Sequence, residues 1–392
     1  MKWKTSLTKK LLVSLLAVGL LPMAVISFIA SRDASRELEE NAYAQLRSAR
    51  EIKKDRIESY FNETRDDLKV LTDNIKATHA GAWENLEGVH ETKSDQVLDL
   101  LREMRMQLDT LSRSHAVRTA FADFKAYHDA TGATALGPLE ISTEAYREVY
   151  DRWYEEFAVY AEKYGYYDIF FICAAHGHVL FTQAKESDLG TNLRAGPYKK
   201  EGLAELWRSV VETGQISVAD YESYAPSGGD YAAFMGAPVF DRSGEVVAVV
   251  ALQLPKDPIN AIVQTRAGLG KTGETYLVGR HEGRTSFRSD LTTMGDGKYT
   301  VAAEIHTDYI DRALKGRSGR EVFKDSSGTP VMVCYDPLTI EGLTWAQITK
   351  MNLEENFSHR GRDETEDFLT RFCEGYGYYD LFLFQPNGYC FY

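Results

Sequence analysis

The sequence is short of the residues that announce chemistry. Only four cysteines occur in 392 residues, Cys173, Cys334, Cys373 and Cys390, and none forms a C-x-x-C pair. Neither a zinc site nor a dense disulfide framework is indicated. A buried apolar role suits these thiols, with a Cys173–Cys390 bridge as the alternative. G-x-S-x-G and H-E-x-x-H are both missing, so the common serine-hydrolase and zinc-protease signatures are not there. Basic residues are outnumbered, 45 against 58, for a net charge of -13, and no long basic stripe occurs. Nucleic acid is therefore a poor partner. Long apolar runs are also lacking, with one exception, and proline is absent from residues 32–114. No cofactor, metal or enzymatic activity is expected on these grounds.

The exception is residues 11–30, LLVSLLAVGLLPMAVISFIA, twenty residues without a charge. At about 1.5 Å per residue they match the ~30 Å hydrocarbon core of a bilayer. Pro22 does not exclude a span. Lys2, Lys4, Lys9 and Lys10 precede the run and place the N-terminus in the cytoplasm, the bulk of the chain outside the cell membrane. A cleaved signal peptide is the rival reading, but no small-x-small cleavage pattern closes the run. Hydrophobic residues make up 44% of the chain, and its length implies two or three folded units.

Over residues 32–114 apolar side chains recur at steps of three and four, as at Leu38, Ala42, Leu46, Ala49 and Ile52. This is amphipathic helix. The stretch is also self-similar at an offset of forty. AYAQLRSAREIKKDRIESYF from Ala42 aligns with AWENLEGVHETKSDQVLDLL from Ala82, matching Leu46 with Leu86, Glu51 with Glu91 and Lys53 with Lys93. Two helical units in a rod or hairpin, joined near Gly81, are expected. A further helix is expected over residues 142–164.

After Tyr164 the pattern becomes β. GYYDIFFICAAHGHVLFT reads as a strand, a turn and a return strand; a helix covers residues 202–212; QISVADYESY, DYAAFMGAPVF and EVVAVVALQL supply three more strands. The last is almost wholly apolar, as a central strand covered on both faces would be. The order recurs in smaller form from GETYLVG to LTWAQITKM. Between the two lies GLGKTGETYLVG, in which Gly268, Gly270 and Gly273 imitate a dinucleotide fingerprint. A nucleotide loop must follow a strand and open a helix. Here a helix precedes and a strand follows, so the glycines are assigned to a helix C-terminus and a turn.

Taken together, one apolar anchor, a long helix, and stretches such as GYYDIFFI, KESDLGTNL, YAPSGGDYAAFMGAPVFD, VVALQLPKDPINAI and GKTGETYLVG resemble the extracytoplasmic double-Cache sensor domains of bacterial chemoreceptors and sensor kinases. The resemblance covers residues 11–352. It implies an α+β fold: an N-terminal transmembrane helix and helical stalk followed by two PAS-like antiparallel-sheet modules. The expected parts are residues 1–31, cytoplasmic tip and anchor; 32–164, stalk; 165–258, membrane-distal module; 259–352, membrane-proximal module; and 353–392, the start of a second copy that breaks off. That copy shows as EDFLTRFCEGYGYYDLFLF, where Gly377, Tyr378, Tyr379 and Asp380 repeat Gly165, Tyr166, Tyr167 and Asp168. The implied role is ligand sensing: a small solute in the distal module, a membrane, a homodimer through the stalk, and signalling domains that this sequence does not carry. A structural or adhesive surface protein is the alternative.

Sensors of this type hold small molecules between the sheet and the elements over it. The expected site has aromatic walls from Trp207, Tyr221, Tyr224, Tyr231 and Phe234, a polar end at Gln253, and charged anchors at Asp188, Arg194 and Asp220. A polar group such as Gln253 on an apolar strand face needs a partner. His176 and His178 have H-x-H spacing but flank a turn glycine with no companion acid in sequence, so a solvated turn and no metal are expected.

Overall fold

The structure is a computed structural model that describes residues 7–291, 300–340, 342–357, 366–384, 388 and 390. The expected cytoplasmic tip and parts of the expected second copy lie outside them. The chain divides into two compact units, Met1–Ala77 and Thr78–Tyr392.

Helix α1 (Leu7–Ser112) is a single helix of 106 residues. It is continuous through Pro22 and through Gly81, so no hairpin turn separates the two sequence repeats. One glycine costs a helix only about 1 kcal/mol. Its N-terminal part is long and apolar enough to cross a membrane, and none of that window is buried within the protein. In the second unit the same helix has a buried stripe, with Leu86, Val97, Leu101, Met104, Leu108 and Leu111 at helical spacing. Helix α2 (His115–Thr131), which the sequence reading left unassigned, starts where the Ser114 hydroxyl accepts from the Val117 amide at 3.1 Å. Helix α3 (Glu144–Tyr164) is capped in the same way by Thr143 and ends at Gly165, whose φ of 75° needs a residue without Cβ.

The first sheet comprises β1 (Ile169–Cys173), β2 (Val179–Thr182), β3 (Ser217–Ser223), β4 (Tyr231–Phe240) and β5 (Val246–Gln253), in the order β2-β1-β5-β4-β3, with every pairing antiparallel. Strand β5 is central, as its apolar sequence required. Ala248, Val250 and Leu252 face the core built with α1, α2 and α3, whereas Val249 and Ala251 face helix α4 (Gly202–Thr213). After α5 (Lys256–Val263), the second sheet repeats the permutation: β6 (Glu274–His281), β7 (Arg284–Phe287), β8 (Gly319–Lys324), β9 (Pro330–Ile340) and β10 (Leu343–Asn352) pair in the order β7-β6-β10-β9-β8. Helix α6 (Asp308–Leu314) covers one face with Tyr309, Ile310, Ala313 and Leu314. On α1, His90 bonds Thr349 and Asp336, each at 2.9 Å, and Lys93 donates to the Val263 and Thr265 carbonyls, so one helix backs both sheets.

A buried ion pair ties the sheets together. The β3 ladder shifts register between Ala219 and Glu222. The irregularity lies at Asp220, whose carboxylate lies against the second sheet. Arg288 grips it in a fork, Nε to Oδ1 at 2.7 Å and a terminal nitrogen to Oδ2 at 2.6 Å, and the Trp345 indole adds a third bond at 2.9 Å. Gly279 makes room: a Cβ there would lie 2.7 Å from Arg288 Nε and 2.8 Å from the Trp345 ring.

The glycine loop that imitates a nucleotide site is filled by the chain itself. Gly268 and Gly270 take φ values of 79° and 61°, turning successive amides into a concavity. The Lys271 and Thr272 amides donate to the two oxygens of Glu355, at 2.5 and 2.7 Å, and the Thr272 hydroxyl adds a third bond. Beyond the second sheet, α7 (Phe368–Tyr376) repeats the end of α3. Gly377 has φ 74°, and the Tyr378 amide reaches the Cys373 carbonyl at 2.9 Å, as Tyr166 reaches Ala161 at 2.9 Å.

Candidate functional site in the first sheet

The nine side chains expected to form one site separate into three groups and one outlier. The first group lies over the face of the first sheet that α4 covers. Asp188 comes from the segment after β2 and is fully buried. Its Oδ2 accepts from the Tyr224 hydroxyl at 2.5 Å, while Oδ1 is buried with no partner. The Tyr224 ring meets Phe234 edge to face at 4.9 Å. Phe234 pairs across the ladder with Gln253, so the two share a face. Gln253 Oε1 is likewise buried without a donor. This group therefore presents two acceptor oxygens that nothing among the described residues satisfies.

The field around it is acidic. Burial pushes the Asp188 carboxyl up to about 6, opposed by the Tyr224 bond and assisted by the Glu186 charge. Burial also pushes Asp168 up to about 7, against four donors: the Ile169, Gln183 and Ala184 amides and the Thr182 hydroxyl. Glu186 accepts from Tyr167 at 2.8 Å and from Ser227 at 2.7 Å. Tyr224 is held far above its ordinary range by burial and then by the Asp188 charge. Three acids thus act on one phenol, and no cation is paired with any of them among the described residues.

The second group is Trp207 with Arg194. The indole donates to the Cys173 carbonyl at 3.1 Å, and the Arg194 guanidinium lies 5.6 Å from its ring centroid. The pair clamps the β1–β2 turn, where a Cβ on Gly177 would lie 3.1 Å from the Trp207 ring. The third group is Asp220 with Tyr221. Against the expected role of Asp220 as an anchor for a ligand's charged end, both its oxygens are committed to Arg288 and Trp345. Tyr221 stacks on Trp345 at 6.0 Å. Tyr231 is 48% exposed, at the start of β4.

The β1–β2 turn departs from expectation. In place of the expected solvated turn, His178 is fully buried and His176 half-buried. His128, from the last turn of α2, lies against both: its Nε2 is 3.0 Å from His178 Nδ1, and its ring centroid is 5.5 Å from that of His176. The companion acid missing from the local sequence is Asp129, 3.2 Å from His128 Nδ1. A cleft of about 320 Å³ opens beside the turn, lined in part by His128, His176, Asp129, Lys125 and Glu245. No sequence signal linked these histidines, because α2 lies some fifty residues upstream. The amphipathic run HAVRTAFADFKAYHDAT would have shown the helix but not its docking.

No protein-family model matches the chain, and no curated protein does. Solved structures do. The ligand-binding domain of the Pseudomonas aeruginosa PAO1 amino acid chemoreceptor PctB, in complex with L-Arg, is 13% identical with a TM-score of 0.46, covering 71% of this chain and 98% of that one. That of the Pseudomonas fluorescens chemoreceptor CtaA, in complex with L-isoleucine, is 12% identical with a TM-score of 0.44, covering 72% and 97%. An extracellular ligand binding receptor from Desulfohalobium retbaense DSM5692 is 13% identical with a TM-score of 0.40, and the match spans 67% of this chain but only 39% of that receptor. The assignment of architecture rests on the sheets themselves: two five-stranded antiparallel sheets of identical permutation, backed by one long N-terminal helix, make this a double-Cache fold.

Proposed function

We propose that this chain is the extracytoplasmic sensing region of a membrane-anchored receptor, and that its first sheet binds a small solute carrying a protonated amine or comparable N–H donor. Asp188, Tyr224, Phe234 and Gln253 form the site. One observation supports this most directly: Asp188 Oδ1 and Gln253 Oε1 are both buried without a donor. A bare buried acceptor costs about 1–3 kcal/mol, more for a charged one, and a donor on a ligand recovers it. The nearby acids Asp168 and Glu186 favour a cation, and Phe234 offers an apolar wall. Amino acids and simple amines fit this chemistry, and the PctB and CtaA domains are described in complex with amino acids.

The anchor is the apolar part of α1, with the N-terminus cytoplasmic and the sheets outside. A second copy of the chain is the partner along the stalk, where Leu38, Leu46, Ile52 and Ile57 are exposed. Ligand binding acts by favouring one arrangement of α1 against the sheets, by no more than the ligand's affinity difference between the two arrangements. The chain acts as a binder rather than as an enzyme.

The test is a thermal and chemical stability screen of the full chain in mild detergent against amino acids, amines, organic acids and purines. A true ligand at a hundred times its Kd stabilises by roughly 2.7 kcal/mol. The expected hits carry an amine and lose at least about tenfold in affinity in Asp188→Ala. Hits confined to anionic compounds, or amine hits indifferent to Asp188→Ala, would overturn the assignment.

A further inference from the structure

The three histidines at the β1–β2 turn present a problem of protons. His178 Nε2 lies 2.8 Å from the Gly137 carbonyl, which can only accept, so Nε2 carries the hydrogen and Nδ1 is a bare lone pair. The Asn192 amide, also near Nε2, already has an acceptor in the Ala135 carbonyl at 3.1 Å. His128 Nδ1 faces the Asp129 carboxylate, so its hydrogen lies there and Nε2 is bare. These two bare nitrogens face each other at 3.0 Å. His176 adds a third ring whose Nδ1 is buried without a partner. Donor atoms of all three imidazoles lie within 4.8 Å of one another.

Two bare lone pairs face to face, with a third imidazole beside them, call for a cation. We propose that His128, His176 and His178 bind one divalent transition-metal ion of the zinc, nickel or copper class, with a fourth coordination position toward the cleft beside the turn. Imidazole is the preferred donor for these ions. Tetrahedral zinc at about 2.0–2.1 Å from each nitrogen places its ligands about 3.3 Å apart, close to the His128–His178 separation. His176 must move by up to about 1.5 Å to complete the set, within a turn that Trp207 and Arg194 hold from its other side. The outer nitrogens are held as metal-bound imidazoles usually are, one by a carboxylate and one by a backbone carbonyl. The rival solution is a single proton shared between His128 and His178, which needs no third histidine.

The ion would join the end of α2 to the β1–β2 turn, apart from the Asp188 group, so failure here leaves the amine reading intact. The experiment uses the full, tag-free chain in detergent, stripped with EDTA and dialysed against zinc chloride, then analysed for metal content and titrated calorimetrically. We expect one ion per chain and a loss of at least about tenfold in affinity for His176→Ala, with melting in EDTA unchanged. Asp129→Asn, at an exposed position, should weaken binding about tenfold or more through orientation of His128. Cobalt(II) should show four-coordinate visible bands in the wild type that His176→Ala loses. Less than stoichiometric zinc, or zinc held equally by the wild type and both variants, would overturn the site in favour of the shared proton.

Discussion

Asp188→Asn removes one buried charge and nearly nothing else. In the folded chain burial holds this carboxyl at about 6, against an ordinary value of 3.8. The folded state therefore binds the proton more tightly than the unfolded chain does. The sign follows: the stability that this group contributes is fully present below pH ~4 and is lost as pH rises through about 6. The difference is about two pKa units, worth roughly 3 kcal/mol at 1.36 kcal/mol per unit. An asparagine carries no such penalty and still offers Tyr224 an acceptor. The variant should thus be more stable than wild type by about 1–3 kcal/mol at pH 7.5, with the gap closing near pH 4. Asp168 titrates with the same sign in both proteins; the Asp188 charge helps to raise it, so the variant eases that carboxyl as well and the gain has the same direction. Urea titrations of the ligand-free chain in mild detergent, at pH 4 and pH 7.5 with tryptophan fluorescence as readout, measure both numbers. The same substitution should weaken an amine ligand by at least about tenfold, the usual pairing of stability gained with function lost at a binding site. A variant less stable than wild type by the same amount at both pH values would refute the reasoning, since an ionised carboxylate would then be at ease in the fold.

Arg288→Ala leaves Asp220 buried without its cation and should cost about 3–5 kcal/mol by the same urea assay; a loss below about 1 kcal/mol would show that water takes the arginine's place. Glu355→Ala strips three bonds from the glycine loop. Hydrogen exchange at the Lys271 and Thr272 amides should accelerate by the equivalent of about 1–3 kcal/mol, with no change at the first sheet. Leu46→Cys in membranes should form disulfide-linked dimers under mild oxidation if two stalks pair; monomer alone would argue against that partner.

Much of the architecture was legible because it is written in period and punctuation. The apolar run EVVAVVALQL as a strand covered on both faces, the switch to a β pattern after Tyr164, and the helix-before-strand order around Gly268 each follow from local rules. The site was less legible because it depends on which face a bulge presents. Asp220 reads in sequence as any strand acid. Only the register shift after Ala219 turns it to Arg288, sixty-eight positions away. Asp188 was picked out as a charged loop residue, but its burial under Tyr224 has no local signature. Glu355 as the occupant of the glycine loop and His128 as neighbour of the H-x-H turn were missed for the same reason: each contact joins segments far apart in the chain. The forty-residue repeat was visible, but its continuity through one helix had to be seen, since a single glycine is too weak a breaker to decide for or against a hairpin.

The fork between Asp220 and Arg288 constrains how the two sheets can move against each other. Bending them apart at the segment that joins them would separate a buried guanidinium from the carboxylate it grips, at a cost of about 3–5 kcal/mol. Thermal motion at 25 °C supplies about 0.6 kcal/mol, so the joint between the sheets is stiff. Under the sensing role proposed above, a solute at Asp188 would act on the packing of both sheets against α1 and not on a hinge between them.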